Sequence, residues 1–383
     1  MIENVLPDLS RDELVRFSRH ITLDEVGLEG QRRLKAARVL CVGAGGLGSP
    51  GALYLAAAGI GTVGLVEFDI VDASNLQRQV LYSTDDVGRP KLDAATERLR
   101  GLNPHLNVEA HAVTLDASNA RQLVSQYDVV LDGTDNFTAR YLVNDACVMT
   151  RTPNAYGAIF RFEGQASVFA TETGPCYRCL HPEPPPPGLV PSCAEAGVLG
   201  VLPGIIGTIQ ATEAIKLILG VGDPLIGRFL IYDALRMRFR ELKLSRDPEC
   251  AVCGAHPTIK ELIEYEGYCT ADSIHQKAAM DMTVKELKQR MDRGDAPTLI
   301  DVREPHEHAI CNIPGAILIP QGQLMQHLGE FDPNKEVVVH CKSGGRSGRA
   351  VEFMKARGFT NARNLTGGVI AWVNEIDPSQ PKY

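Results

Sequence analysis

The sequence predicts an α/β fold in two parts, a large mostly parallel sheet with an antiparallel extension and then a second small α/β domain. In the first part, apolar strand-like runs alternate with helical stretches, which indicates a parallel sheet covered by helices on both faces. From about Gly164 the runs GQASVFA and RFLIYDALRMRFRELKL are typical of antiparallel strands. Short strand and helix patterns resume near residue 282, where TLIDV and EVVVHC precede the helical run RSGRAVEFMKARG and a predicted turn, NARNLTGG.

These patterns predict a first domain over residues 1–255, a linker with a short helix over 256–281 and a second domain over 282–383. The Pro-rich stretch HPEPPPPGLVPS is predicted to be a mobile loop, because proline cannot join a strand ladder. The apolar stretch AGVLGVLPGIIGTIQAT is broken by Gly and Pro and is shorter than the ~20 residues of a membrane span. We therefore expect a buried helix at a core or dimer seam and no membrane association.

Composition limits the functional classes. A net charge of −8 argues against nucleic acid as the main partner. The first residues lack the basic start and apolar run of an export signal, and ten cysteines in such a chain indicate a reducing compartment. We expect a cytoplasmic protein whose cysteines serve metal binding or catalysis rather than disulfides.

A nucleotide site is predicted near the N-terminus. Ser10 and Glu13 form a capping-box pattern for a helix that would carry Arg16 and Arg19. The stretch after it contains GAGGLG between a strand and a small-residue helix, and Asp69 is predicted to end the following strand. This spacing favours a Rossmann-like site, with phosphates at the helix N-terminus and the Asp69 carboxylate on a ribose. The alternative is that the glycines only permit tight packing.

The next polar residues favour ATP over NAD. The stretch DASNLQRQVLYSTDDVGRPK supplies Asn75, Arg78 and Lys91, and DGTDN supplies Asp135 at a strand end, followed by Asn136. Cleaving ATP between its α- and β-phosphates builds negative charge that cations and a metal stabilise, whereas hydride transfer has no such need. A carboxylate at Asp135 suits Mg²⁺. For each residue singly, a surface ion pair is the alternative.

Two C-x-x-C pairs predict a structural zinc site. CYRC and CAVC supply Cys176, Cys179, Cys250 and Cys253, the four thiolates of a closed tetrahedral site, and the pairs must meet in space. Buried free thiols are the alternative. A redox pair is disfavoured because neither motif is predicted to open a helix after a strand.

Five motifs in order, RFSRHI, GAGGLG, SNLQRQ, VGRPK and DGTDN, resemble the MoeB/ThiF family over about residues 10–255. These relatives of ubiquitin-activating enzymes adenylate the C-terminal carboxylate of a ubiquitin-like sulfur-carrier protein. The resemblance implies a homodimer in which Arg19 reaches the partner's site, with Arg78 and Asp135 acting in catalysis. The expected ATP contacts are Gly43, Gly45, Gly46, Gly48, Asp69, Asn75, Arg78, Lys91, Asp135, Asn136 and Arg19.

The remaining cysteines of this part differ in expected role. Cys193 follows the Pro-rich loop, where a thiol could reach an acyl-adenylate and form a covalent acyl link. Related proteins carry a cysteine here that acts so in some and is dispensable in others, and a small exposed loop residue is the alternative. Cys41 and Cys147 are predicted to be core residues.

The stretches DVREPHEHAICNIPGA, HCKSGGRS and NLTGGVIAW resemble a rhodanese domain over about residues 283–383. Cys341 ends a predicted strand, and backbone N–H groups of the following loop, with a helix N-terminus and the Arg346 charge, would stabilise a persulfide. The persulfide loop comprises Lys342, Ser343, Gly344, Gly345 and Arg346. It is one residue shorter than a phosphatase loop, so it suits sulfur better than phosphate. A phosphatase and an inactive docking domain are the alternatives.

Two further predictions concern this region. Asp301 and Arg303 are expected to brace the fold near the site. Cys311 is expected to be a surface residue, with a resolving thiol as the alternative.

Together the two resemblances predict a fused enzyme that uses ATP, Mg²⁺ and Zn²⁺. It would adenylate the Gly-Gly carboxylate of a carrier and then transfer sulfur from a persulfide on Cys341, directly or through Cys193, to give a thiocarboxylate. The sulfur donor would be a cysteine desulfurase or thiosulfate. Molybdenum cofactor, thiamin, cysteine and tRNA thiolation pathways all fit this chemistry. An NAD-dependent oxidoreductase fused to a sulfurtransferase and a non-catalytic docking protein are the rivals.

Overall fold

The computed structural model describes residues 6–185, 197–263 and 281–382. The chain divides into two compact units, Met1–Cys269 and Thr270–Tyr383, and each is described by itself. Cys193, most of the Pro-rich stretch and most of the predicted linker lie outside the described residues.

The first unit is built on an eight-stranded sheet with the order β3-β2-β1-β4-β5-β6-β7-β8. All pairs from β3 to β5 are parallel, and the pairs from β5 to β8 are antiparallel, which confirms the predicted sheet and its extension. The strands are β1 (Arg38–Val42), β2 (Thr62–Val66), β3 (Asn107–His111), β4 (Val129–Asp132), β5 (Asn154–Phe160), β6 (Glu163–Phe169), β7 (Arg228–Asp233) and β8 (Arg238–Lys243).

Helices cover both faces of the parallel part. Successive side chains of a strand point to opposite faces, and in β1 Val39 and Cys41 join one apolar core while Leu40 and Val42 join the other. The helices are α1 (Arg11–Arg16), α2 (Ser18–Ile21), α3 (Gly27–Ala36), α4 (Gly48–Ala58), α5 (Lys91–Leu102), α6 (Ala120–Val124), α7 (Phe137–Thr150), α8 (Tyr177–Leu180) and α9 (Leu202–Leu219). Helices α4, α5 and α9 contribute to the first core, and α6 and α7 contribute to the second. Cys41 and Cys147 are fully buried, as predicted.

The N-terminal helix differs slightly from the prediction. Ser10 and Glu13 form the expected capping box, but α1 ends at Arg16. Phe17 separates it from α2, which carries Arg19. The predicted single helix is therefore two short ones.

The apolar stretch near residue 200 forms α9, a core helix. By length and composition alone, α9 is long and apolar enough to cross a membrane, but half of the helix is buried inside the unit. Gln210 on α9 donates hydrogen bonds from Nε2 to the carbonyls of Asp132 (2.7 Å) and Ala155 (2.8 Å), which fastens the helix to β4 and β5. The prediction of a buried helix is confirmed.

The second unit contains a four-stranded parallel sheet with the order β10-β9-β11-β12. Its strands are β9 (Thr298–Asp301), β10 (Ile317–Leu318), β11 (Val337–His340) and β12 (Ala362–Asn364). Its helices are α10 (Val284–Arg293), α11 (Pro305–Ile310), α12 (Leu324–His327), α13 (Gly345–Lys355) and α14 (Gly368–Glu375). The stretch NARNLTGG, predicted as a turn, contains β12, because Ala362–Asn364 pair with β11 before the chain turns.

Candidate functional site

The glycine loop between β1 and α4 is shaped by backbone contacts that only glycine permits. Gly43 has φ 90°, a left-handed conformation that glycine adopts without strain. A Cβ on Gly48 would lie 1.9 Å from the Gly43 carbonyl oxygen, and a Cβ on Gly43 would lie 3.1 Å from the Gly133 carbonyl oxygen. The start of α4, the end of β1 and the segment after β4 therefore meet here.

Residues outside the motif hold this loop in place through Ala44. The Ala44 N–H donates to Glu67 Oε2 (3.1 Å). The Ala44 carbonyl accepts from Ser49 Oγ (3.0 Å) and from Tyr82 Oη (2.9 Å). Both polar groups of the residue are fixed by buried side chains, so the loop is ordered before a ligand arrives.

Glu67, not Asp69, is the carboxylate at the end of β2. The strand ends at Val66, so the prediction that Asp69 ends it was wrong by three residues. Glu67 is buried, and its Oε1 accepts from the N–H groups of Phe68 (2.9 Å) and Asp69 (3.1 Å). The sequence signal was available, since Glu67 is the first polar residue after the apolar run TVGLV. The Asp69 carboxylate is more than half exposed and lies 3.1 Å from Lys91 Nζ.

One of the predicted cationic residues, Arg78, lies against the glycine loop, and the other, Lys91, pairs with Asp69. Lys91 is the buried first residue of α5, and Arg78 Cδ comes within 3.7 Å of the position that a Cβ on Gly46 would occupy. Arg78 Nη1 also donates to the Ser74 carbonyl (3.2 Å). Asn75 ends the short 3₁₀ helix Ala73–Asn75 in the same segment. The structure thus brings Arg78 to the glycine loop and joins Lys91 to Asp69.

Asp135 and Asn136 lie where the strand order reverses. The order β3-β2-β1-β4-β5 changes direction between β1 and β4, and ligands of open α/β sheets bind at the carboxyl ends of strands at such a point. Asp135 is exposed three residues beyond β4, and Asn136 caps α7 by accepting from the Ala139 N–H (2.8 Å). Burial raises the pKa of Asp132, which ends β4 and is fully enclosed. Arg19 is exposed on α2.

The four cysteines of the two C-x-x-C pairs form one cluster. Their sulfur atoms all lie within 4.8 Å of one another. Cys176 and Cys250 are 3.6 Å apart, Cys179 and Cys253 are 3.4 Å apart, and Cys176 and Cys179 are 3.9 Å apart. A tetrahedron with Zn–S bonds of about 2.3 Å has sulfur–sulfur separations of about 3.8 Å, so the donor set fits zinc. A disulfide would need about 2.05 Å.

The backbone supports this cluster. N–H groups of Cys176 and Asp247 donate to Cys179 Sγ, both at 3.4 Å, as expected for a sulfur that carries negative charge. Cys176 is the N-cap of α8, so the expectation that neither pair opens a helix was wrong for CYRC. The cause is a four-residue helix too short to leave a periodic pattern.

Cys341 lies in a cradle of hydrogen-bond donors directly after β11. Its Sγ accepts from the Gly344 N–H (3.2 Å) and from Ser347 Oγ (3.3 Å), and the thiol is buried. Gly344 has φ 105°, a left-handed conformation that glycine adopts without strain. A Cβ on Gly368 would lie 2.4 Å from the Cys341 carbonyl oxygen, so the NLTGG segment packs directly against the backbone of Cys341. Sequence reasoning missed Ser347, although a hydroxyl in the first turn of the following helix was visible.

The charge of Arg346 is compensated by a residue that the sequence analysis did not single out. Arg346 Nη1 and Nη2 donate to the two carboxylate oxygens of Glu307, both at 2.6 Å. Each side chain is only 10% exposed. The positive potential expected from Arg346 is therefore largely offset by Glu307 on α11.

Asp301 and Arg303 brace this region, as predicted. Both are fully buried, and Arg303 donates to Asp301 Oδ2 (2.6 Å) and to the carbonyls of Glu307 (3.2 Å) and Cys311 (2.9 Å). Burial lowers the pKa of His340 to about 4. Cys311 is buried, so the expectation of a surface residue was wrong: its side chain joins the core with Leu299 and Trp372.

The first unit has a glycine loop at the strand reversal with the Arg78 cation beside it, as in nucleotide-binding α/β proteins. The second unit holds a thiol between amide and hydroxyl donors, as in sulfur-transfer domains. Residues 17–252 match the ThiF family and residues 283–375 match the rhodanese-like domain. The chain belongs to the ThiF family and carries a C-terminal rhodanese-like domain.

Known proteins match either nearly the whole chain or about two thirds of it. The chain is 48% identical over 384 residues to the probable adenylyltransferase/sulfurtransferase MoeZ of Mycobacterium tuberculosis, covering 98% of this chain and 96% of the relative. It is 55% identical over 265 residues to the sulfur carrier protein adenylyltransferase of Thermus thermophilus, covering 68% of this chain and 98% of the relative. The crystal structure of E. coli MccB with MccA-N7isoASN superposes with a TM-score of 0.56 at 23% identity over 62% of this chain and 74% of that one, which shows the fold of the first unit.

Proposed function

We propose that this chain is a bifunctional adenylyltransferase and sulfurtransferase that converts the C-terminal Gly-Gly carboxylate of a ubiquitin-like sulfur-carrier protein into a thiocarboxylate. The observation that carries the proposal is that one chain contains two sites. One is the Cys341 cradle, and the other is the glycine loop at the strand reversal, with Arg78 against it. An acyl-adenylate is a good acyl donor, and a persulfide is a strong sulfur nucleophile. The two sites supply the two halves of one reaction.

The first unit would perform the activation step. ATP phosphates would lie on the glycine loop and the N-terminus of α4, where the helix dipole favours anions. Arg78 and Lys91 would stabilise the charge that develops as the carrier carboxylate displaces pyrophosphate from the α-phosphate. Glu67, the residue after β2, would accept hydrogen bonds from the ribose, a role assigned to Asp69 from the sequence. Asn75 and Asn136 would complete the polar lining.

Two metals fit the first unit. Asp135 would hold Mg²⁺, which would offset phosphate charge during the step. Cys176, Cys179, Cys250 and Cys253 would hold Zn²⁺ in a closed site without an open position, so its role is to fasten α8 to the segment after β8. The buried ion pair between Arg178 on α8 and Asp145 on α7 (2.7 Å) joins α8 to α7 beside the cysteine cluster.

The second unit would perform the sulfur step. The Cys341 thiolate attacks the terminal sulfur of the donor, the donor's S–S bond breaks, and its electron pair leaves with the donor remnant. The resulting persulfide attacks the acyl carbon of the carrier, either directly on the acyl-adenylate or on a thioester at Cys193, so that AMP departs and the carrier is left joined to Cys341 as an acyl disulfide. A second thiol, from another cysteine or from a small thiol in solution, then attacks the Cys341 sulfur. The S–S bond breaks, and the carrier leaves as the thiocarboxylate. The Gly344 N–H and the Ser347 hydroxyl stabilise the charge on sulfur during these exchanges.

The organisation expected from the sequence fits this reaction. We assign the catalytic domains to residues 1–255 and 282–383, joined by a linker over 256–281. A tether of about 25 residues would keep the second active site at an effective concentration near the millimolar range. We further propose a homodimer completed by Arg19 of each subunit, a cytoplasmic location, and a carrier of the molybdenum cofactor type among the possible substrates.

Mass spectrometry of candidate carriers incubated with the enzyme, ATP and a sulfur donor tests the proposal. The expected product gains the mass difference between sulfur and oxygen at its C-terminus. A Cys341→Ala variant should retain ATP–pyrophosphate exchange and lose the product, whereas Asp135→Ala should lose both. If no carrier with a Gly-Gly tail stimulates AMP formation, the proposed function is wrong.

A further inference from the structure

The hydroxyl of Ser347 lies between the Cys341 sulfur and Asn364, a residue to which the sequence analysis gave no role. Ser347 Oγ is 3.3 Å from Cys341 Sγ, 3.1 Å from the Gly344 carbonyl oxygen and 2.7 Å from Asn364 Oδ1, at the end of β12. A hydroxyl has one hydrogen to donate, so these three acceptors compete for it. Ser347, Cys341 and Asn364 are all buried, so bulk water does not supply a second donor.

The orientation of the Asn364 amide follows from its other neighbour. Asn364 Nδ2 is 3.3 Å from Asp281 Oδ2. An amide nitrogen donates hydrogen bonds and a carboxylate accepts them, so the nitrogen faces Asp281 and the amide oxygen faces Ser347. That oxygen can only accept, and its distance of 2.7 Å from Ser347 Oγ is usual for an O–H···O bond. The Ser347 hydrogen therefore points to Asn364 unless the sulfur becomes the stronger acceptor.

Ionisation of Cys341 makes the sulfur the stronger acceptor. A neutral thiol accepts hydrogen bonds weakly, whereas bonds to ionised groups are roughly twice as strong as neutral ones. When the hydroxyl turns to the thiolate, Asn364 Oδ1 loses the one donor that the described part of the chain gives it. A buried acceptor without a partner is costly, so this loss opposes formation of the thiolate. The Gly344 carbonyl adds no such cost, because it keeps the Gly348 N–H (2.9 Å).

We propose that Asn364 is a positioning residue of the sulfur site, which holds the Ser347 hydroxyl away from the sulfur while Cys341 is a neutral thiol and releases it when the sulfur becomes charged. The inference rests on the proposed sulfur transfer and adds a residue that acts on Cys341 through Ser347. On ionisation the S–H bond breaks, its proton leaves for solvent, and the Ser347 O–H turns from Asn364 to the sulfur without breaking. Asn364 thereby limits the thiolate in the resting enzyme.

The elements around Cys341 also carry charged and titratable side chains, which the test must hold constant. They are Lys342 in the loop, Arg346 on α13, Glu307 and His308 on α11, Asp301 and Arg303 at the end of β9, His340 on β11 and Asp281 beside Asn364. All of them remain in every variant compared, so a difference between two variants does not come from removing one of these charges.

The test measures the pH profile of Cys341 alkylation in the full-length chain. The rate with iodoacetamide, a neutral reagent, is followed by peptide mass spectrometry across the range in which thiols ionise. Asn364→Leu has a similar size but no acceptor, so the hydroxyl can stabilise the thiolate without leaving a buried oxygen unpaired. The midpoint of the profile should fall by about 0.4–1.1 pH units, the equivalent of one hydrogen bond. The midpoint is compared rather than the rate, because a more acidic thiol is intrinsically less nucleophilic.

A double-mutant comparison separates this route from a general disturbance of the site. In a Ser347→Ala background no hydroxyl connects Asn364 to the sulfur, so adding Asn364→Leu should leave the midpoint where it is. Asn361→Leu is the matched control: its exposed amide donates to the Asn334 carbonyl (2.9 Å), and its profile should equal that of the native chain. If Asn364→Leu does not fold, Asn364→Ala takes its place, because it also lacks the acceptor oxygen.

The alkylation measurement needs no turnover, so it is independent of the proposed function. The pH profile of sulfur transfer from thiosulfate to cyanide should shift by the same amount as the alkylation profile. A shifted alkylation profile in a chain that transfers no sulfur would contradict the proposed function and still support the role of Asn364. The same midpoint in Asn364→Leu and the native chain, or an equal shift with and without the Ser347 hydroxyl, would overturn the proposal.

Discussion

Replacing Tyr82 by Phe removes one hydroxyl from the support of the glycine loop and leaves the ring in place. Tyr82 Oη donates to the Ala44 carbonyl at 2.9 Å, and the side chain is buried. The same carbonyl keeps its bond from Ser49 Oγ (3.0 Å), so it does not become an unpartnered buried acceptor. The substitution therefore costs a single hydrogen bond rather than the larger penalty of an orphaned polar group.

The expected effect follows from that bond. A net contribution of about 0.5–1.5 kcal/mol corresponds to a roughly two- to twelvefold change in an equilibrium constant. If the loop must be ordered to bind ATP, most of this cost falls on ATP binding, since the unbound loop can relax. We expect Tyr82→Phe to raise KM for ATP by that factor in a pyrophosphate-exchange assay, with a smaller change in kcat.

The chain contains its own controls for this prediction. Tyr127→Phe removes a buried hydroxyl that bonds Glu109 (2.7 Å) and His111 (2.7 Å) on the edge strand β3 and not Ala44, so it should change KM for ATP less than Tyr82→Phe does. Thiosulfate–cyanide activity of the second unit should be unaffected in both variants. Equal KM values for Tyr82→Phe and the native enzyme would refute the idea that Tyr82 orders the loop.

Two further predictions concern acid stability and the cysteine cluster. Burial alone would raise the pKa of Asp301, but the hydrogen bond from Arg303, the His340 charge and other contacts lower it to about 2; its stabilisation is therefore present above the unfolded value of about 3.9 and is lost as pH falls through about 2. In denaturant unfolding, Asp301→Asn should lower the free energy of unfolding by about 3–5 kcal/mol near neutral pH, because Arg303 loses its carboxylate partner. Between about pH 4 and pH 2 the variant's free energy of unfolding should depend less on pH than that of the native protein. Equal dependence on pH in both proteins would contradict this assignment. Removing the metal with a strong chelator, or replacing Cys250 by Ala, should lower the melting temperature of the first unit and abolish pyrophosphate exchange, whereas thiosulfate–cyanide activity should persist. Metal content is measured by emission spectroscopy. An unchanged melting temperature after complete loss of metal would argue against a structural site.

Much of the fold was predictable because long strands and glycine turns leave strong local signals. The alternation of strand and helix identified the parallel sheet, and the change of pattern near Gly164 identified the antiparallel extension. The elements that were missed or misplaced are short. Two-residue β10, three-residue β12 and four-residue α8 are too brief to show a period of 2 or 3.6.

The sites were predictable only as far as their motifs extend. Glu67 was overlooked because the end of β2 was placed three residues late, and strand ends are the least certain feature of a sequence pattern. Cys311 was expected at the surface because a single polar-rich stretch gives no sign of the packing supplied by other strands and helices. Contacts between residues far apart in sequence leave no local trace.

The support of the glycine loop lies outside its recognisable motif, and this has a consequence for function. The glycine loop is held through Ala44 by Glu67 and Tyr82, which lie 23 and 38 residues away along the chain. A relative can therefore retain GAGGLG intact and still differ in ATP affinity, because the geometry of the loop depends on these distant partners.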